Sequence, residues 1–88
     1  MIHELKLNSK YYYDSLTNVK TFEIRKNDRN FLVGDILKLV KYTPLTKDYY
    51  LAGESHYKRI TYILDNQEYL KEVYVCLGLQ PIPEPEEE

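Results

Sequence analysis

A single cysteine, no tryptophan, three glycines and no long apolar run bound what this 88-residue sequence can be. Cys76 has no second cysteine to bond, which excludes an internal disulfide and a cysteine-based metal site, and a reducing, cytoplasmic setting fits. His3 and His56 do not make a metal site between them, and no cofactor is expected. No stretch approaches the roughly 20 apolar residues of a helical membrane span, and the N-terminus has no signal-peptide core, so neither insertion nor secretion is expected. Internal repeats and a linker are also lacking. With 43% hydrophobic residues the chain suffices for one compact domain and not for two. At this size roughly 60% of the unfolded chain's surface can be buried, so the margin of stability is thin.

What the sequence has in plenty is tyrosine, ten of them, each an apolar ring whose hydroxyl suits a core edge or a wet cleft. Some of the ten must reach the surface. The formal charge of −2 conceals two regions, because Glu84, Glu86, Glu87 and Glu88 interleave with and follow Pro81, Pro83 and Pro85, and residues 1 to 83 carry +2. Residues 1 to 80 are expected to form the single domain, a monomer, and residues 81 to 88 a disordered acidic tail with no apolar area to bury.

Alternation marks the strands. "IHELKL" puts His3, Leu5 and Leu7 on one face, so His3 reads as a satisfied imidazole at the core edge. Asn8 or Ser9 can cap a short helix that buries Tyr12 and Leu16 and ends near Thr17-Asn18, and of Tyr11, Tyr12 and Tyr13 at most two rings can point inward. "KTFEIR" alternates again, with Phe22 and Ile24 expected to face the core and Glu23 and Arg25 the other side. "KNDRN" and "VGD" are turn signals around Phe31 and Val33, which are expected to help build the core, while Asp28 and Asp35 shape the turns. "DILKLVKY" and "YKRITYIL" read as strands separated by a long loop, residues 43 to 56, which contains Pro44 and Gly53 and has no period. "DNQE" at residues 65 to 68 resembles a capping box and predicts one or two helical turns. "EVYVCLGL" closes the domain with Val73, Val75, Leu77 and Leu79 on one face and Cys76 as a small buried apolar group. The count is about five strands and one or two short helices. With no helix-long crossovers between most strands, the class is α+β, and a small mixed or antiparallel barrel is the way to hide the sheet edges.

The chemistry concentrates between residues 18 and 42, where six basic and three acidic groups give a local charge of +3. Glu23 and Arg25 at i, i+2 share one strand face, where they either pair as solvated decoration or point together at a ligand. An Arg fork matches phosphate or a guanine edge, and a carboxylate accepts from an exocyclic amine. Lys20 has the opposite parity and reaches the same cleft only if the strand start turns it. Lys26, Arg29, Lys38 and Lys41 add the positive footprint that a phosphate backbone needs. Tyr49 and Tyr50, in the expected long loop, serve either to stack a base or to pack the loop down.

The order "HELKL", "KTFEIRKNDR", "FLVGDILKL", "ITYIL" and a final apolar strand, over roughly residues 2 to 79, resembles the ASCH domain family of the PUA-like superfamily, in particular a short, mostly prokaryotic and phage-associated subfamily without an assigned activity. The resemblance implies a PUA-like mixed β-barrel with a helix over one opening and a cleft beside the strand that carries Lys20, Glu23 and Arg25. It also implies RNA or a modified nucleoside as the class of ligand. One branch of ASCH proteins hydrolyses an acylated cytidine with a lysine, a threonine three residues later and a distant glutamate. Lys20 matches the lysine, Glu23 stands where the threonine would be, and the distant glutamate has no alignable counterpart. The expected function is therefore a nucleic-acid or nucleoside-binding module, with an amidohydrolase-like enzyme or a protein-interaction domain as alternatives.

Overall fold

The computed structural model describes residues 1–46 and 50–86. Strand β1 (Ile2–Asn8) leads directly into helix α1 (Ser9–Leu16), and four strands follow, β2 (Phe22–Lys26), β3 (Ile36–Pro44), β4 (Tyr50–Leu64) and β5 (Tyr74–Ile82). They form one curled sheet in the order β1-β3-β4-β5-β2, with β1 parallel to β3 and every other pair antiparallel. The α+β class, the five mixed strands and the short helix agree with the sequence reading. The two sheet edges, β1 and β2, turn towards one another, and the Arg25 guanidinium on β2 donates through Nη2 to the Lys6 carbonyl on β1 at 2.8 Å.

The core follows from alternation in three elements. Leu5 and Leu7 on β1, Leu37 and Leu39 on β3, and Val75, Leu77 and Leu79 on β5 all point inward, and Tyr12, Phe31 and Ile60 complete the buried cluster. Each fully buried Leu or Ile contributes about 1.5–3 kcal/mol relative to exposure. Helix α1 starts where Asn8 accepts from the Lys10 backbone N–H at 3.0 Å, and it ends at Thr17, followed by Asn18 in the left-handed region at φ 64°. Tyr12 is the one ring of the tyrosine triplet that enters the core. Its helical partner inside is Ser15 rather than Leu16, which is exposed.

Several expectations are corrected. Phe22 and Ile24 are 43% and 51% exposed, whereas Glu23, at 3%, faces inward. The reason lies on the neighbouring strand: Glu23 pairs with Leu77 and Arg25 with Val75, and cross-strand partners share a face. Since β5 turns its apolar residues inward, β2 must turn its charged ones the same way. Val33 is exposed because it stands at the tip of a turn, closed by the Asp35 N–H donating to the Leu32 carbonyl, with Gly34 at φ 96° beside it. The expected loop 43 to 56 is mostly strand, since β3 runs to Pro44 and pairs through Tyr42, Thr43 and Pro44 with Ala52, Leu51 and Tyr50. Pro44 is tolerated as the last residue of its strand. At "DNQE" no helix forms. Asn66 makes isolated turns, accepting the Glu68 N–H on its side chain at 2.8 Å and the Tyr69 and Leu70 N–H groups on its carbonyl. Val73 closes that segment at φ 58° and is exposed, so it does not join the apolar face of β5. Cys76 is half-buried, on the outward-facing parity between Val75 and Leu77.

Pro81 and Ile82, expected to begin a disordered tail, extend β5 and pair with Lys58 and Tyr57. The Leu79 N–H donates to the Thr21 carbonyl on the β2 side, so the nitrogen of Pro81, two residues on, faces that same edge beyond the end of β2. Its missing N–H removes nothing from the ladder.

Candidate functional site

The seam between the β1 and β2 edges is a cleft of about 520 Å³, and Lys6, Tyr11, Lys20, Phe22, Glu23 and Arg25 all contribute to its walls. That volume lies within the range of small-molecule sites, about 300–1,000 Å³. Lys20, Glu23 and Arg25 converge there. The Glu23 carboxylate takes the Lys20 ammonium on Oε1 and the Arg25 Nε–H on Oε2, the latter at 3.1 Å. Lys20 also donates to the Phe22 carbonyl at 2.7 Å, while its own N–H donates to the Asp14 carbonyl at 2.8 Å. This second bond ties the start of β2 to the end of α1, and it brings a residue of the wrong strand parity into the cleft.

A carboxylate this buried is tolerated because it is paired on both oxygens. The two cations keep partial contact with solvent, 18% and 24% exposed at the side chain. The triad is therefore a buried anion screened from the cleft mouth by two reachable cations. Solvated decoration, the alternative that alternation left open, does not describe Glu23.

Behind the triad lies a second polar layer that sequence reading missed. Lys58 on β4 is buried, and its ammonium donates to the Ser15 carbonyl at 2.8 Å and to Asn18 Oδ1 at 2.6 Å, both at the C-terminal end of α1. Burial, and next the charge of Lys20, lowers its pKa. His56 is linked to Ser15 Oγ through Nε2 at 2.8 Å, and its pKa is lowered by burial first and by Lys58 next, against the opposing pull of Glu23 and Glu54. Tyr12 stacks edge-on against His56 with ring centroids 4.7 Å apart, and burial pushes its hydroxyl up to about 12. The signal that could have revealed this layer is the period in "HYKRI", where His56, Lys58 and Ile60 share one face. Such a face reads as solvated until the sheet is closed over it.

The remaining predicted residues are dispersed. Lys26 and Arg29 are exposed and border a smaller hollow of about 160 Å³, which shares Arg25 with the main cleft. Lys38 pairs with Glu4 at 3.6 Å, and Lys41 donates to the Tyr13 hydroxyl at 3.0 Å and lies 3.9 Å from Glu54. Tyr50 opens β4 opposite Pro44, and Tyr49 lies outside the described residues. The aromatic groups at the cleft are instead Tyr11 and Phe22. His3 is satisfied by Asp35 Oδ2 at 2.8 Å, and that bond chiefly lowers the Asp35 pKa, with the Leu32 N–H and the N-terminal ammonium assisting. No group of three potential metal ligands occurs among the described residues, and no helix there is long and apolar enough to cross a membrane.

Fold and cleft together define a small α+β protein whose curled sheet closes around a paired, buried carboxylate. Comparison with known proteins narrows the class. Residues 2–79 match the family described as Domain of unknown function (DUF3850), and the chain belongs to that family. It is also similar, at 37% identity over 76 residues, to the "Uncharacterized 12.9 kDa protein in GpA 3'region" of Escherichia phage P2. That match covers 86% of this chain and 65% of the phage protein.

Proposed function

We propose that the protein is an RNA- or nucleoside-binding module of the ASCH type within the PUA-like superfamily, with the β1–β2 cleft as its site. The observation that carries the reading is the buried Glu23, held between Lys20 and Arg25 at the floor of an open cleft with Tyr11 and Phe22 beside it. Lys20 and Arg25 suit phosphate or base carbonyls, the aromatic rings suit a base face, and the carboxylate suits an exocyclic amine. The positive excess of the lining favours an anionic ligand, since Lys6, Lys20 and Arg25 share the cleft walls with Glu23. A labelled RNA titration tests the reading. Affinity should fall steeply with salt and drop about tenfold or more in Arg25→Ala. No binding at low salt, or binding unchanged by that substitution, removes it.

The direct contact between Lys20 and Glu23 favours one other reading, proton transfer within an amidohydrolase-like reaction. Release of product from an acylated cytidine, abolished by Lys20→Ala, would establish it. No turnover at high protein concentration would end it.

A further inference from the structure

We propose that the outer face of β2, β5 and β4 is a stacking platform for single-stranded nucleic acid that leaves the cleft, an inference that rests on the binding function proposed above. In the sheet register Phe22 lies opposite Gly78, and Gly78 lies opposite Tyr62, so the two rings flank a residue without a side chain. Phe22 and Tyr62 are 43% and 64% exposed. A Cβ on Gly78 would come within 3.3 Å of the Tyr62 Cβ, so the space between the rings is kept open by glycine. The next row, Ile24, Cys76 and Leu64, continues an apolar floor. Rings two strands apart are separated by about 10 Å, longer than one nucleotide step, so two non-adjacent bases of one extended strand can each stack on its own ring.

Charge fixes the occupant and its path. Phe22 belongs both to the cleft lining and to this face, so the two surfaces are continuous. The Lys20 ammonium stands 5.1 Å from the Phe22 ring centroid, and the exposed Lys26 follows Phe22 and Ile24 on the same outward parity of β2. These cations match a phosphate backbone on the β2 side. Towards the other end of the sheet, Glu84 and Glu86 line a hollow with Arg59, which places like charge against a nucleic acid there. The strand is therefore expected to run over Phe22 and Tyr62 and not towards the acidic segment. A second copy of the chain on this face would bring the same basic flank against itself.

The experiment compares uridine monophosphate with a labelled oligouridylate of eight nucleotides, using wild type, Tyr62→Ala, Tyr62→Phe and Arg25→Ala, with sedimentation of each protein in parallel. Tyr62→Ala should weaken the octamer about 5- to 100-fold while leaving the monophosphate unchanged, and Tyr62→Phe should restore the octamer affinity. Octamer affinity unaltered by Tyr62→Ala overturns the platform, and if Arg25→Ala still weakens binding, the cleft reading survives it. Loss of both ligands in wild type removes both proposals. A wild-type dimer that Tyr62→Ala dissociates assigns the face to self-association and overturns the platform.

Discussion

Replacing Glu23 by Gln should destabilise the protein while raising its general affinity for polyanions. The substitution keeps the shape of the side chain and removes one negative charge, leaving Lys20 and Arg25 against an amide, with Lys58 as a further positive neighbour. Breaking a fully buried ion pair by removing one partner costs about 3–5 kcal/mol. Here the stranded groups keep 18% and 24% exposure and can swing towards solvent, so the expected loss is smaller, about 2 kcal/mol. For a domain of this size that corresponds to a fall in Tm on the order of 10 °C. The assay is urea unfolding of wild type and Glu23→Gln at neutral pH, paired with a salt series of RNA titrations. With the carboxylate gone, the salt slope should steepen, and any preference among bases should shrink. A variant within about 0.5 kcal/mol of wild type would refute the reasoning, because Glu23 would then contribute no more than a surface charge.

Acid should weaken the fold through His56. Its folded pKa is lowered, so the unfolded imidazole takes up the proton first, and stability is undiminished above about 6.5 and falls as pH drops below it. Comparing urea midpoints of wild type and His56→Phe between neutral and mildly acidic pH isolates this share; parallel curves would refute it. Tyr12→Phe should be neutral or slightly stabilising at pH 7, because the buried hydroxyl has no partner to lose, and it should abolish the loss of stability expected as pH rises from 10 towards 12. Leu39→Ala, at a fully buried site, should cost about 2–5 kcal/mol in the same unfolding assay, and a loss below 1 kcal/mol would mean that the core collapses around it.

How much of this was legible depends on whether a residue's fate is decided locally. The inward faces of β1, β3 and most of β5 could be read directly, because each strand alternates apolar with polar and has a core on one side. The Asn8 cap and the Asn18 exit could be read for the same reason, since they concern backbone groups within a few residues. Strand β2 could not. Its alternation defines two faces but not which is inner, and the choice was made by the register with β5, whose paired residues lie 48 to 56 positions away. Phe22 and Ile24 were accordingly assigned to a core they do not enter. Pro44 and Gly53 read as loop because breakers are weighed one by one, whereas a ladder between two long strands tolerates both. In the candidate site, Glu23, Arg25 and Lys20 stood out as a local cluster of charge. Tyr11 did not, and neither did Ser15, His56 and Lys58, which meet only where the curled sheet brings β4 against the end of α1.

The strand order has a kinetic consequence. Strands β3, β4 and β5 form consecutive hairpins, but among the described residues β2 has β5 as its one ladder partner, so closing that pair spans most of the chain. The meander can form before β2 has anywhere to dock. On this topology the cleft is the last feature to be assembled, and the β2 amides should be the first in the sheet to exchange with solvent. A molecule bound across the seam would then act as a clasp, slowing the opening of the strand that carries its own recognition groups.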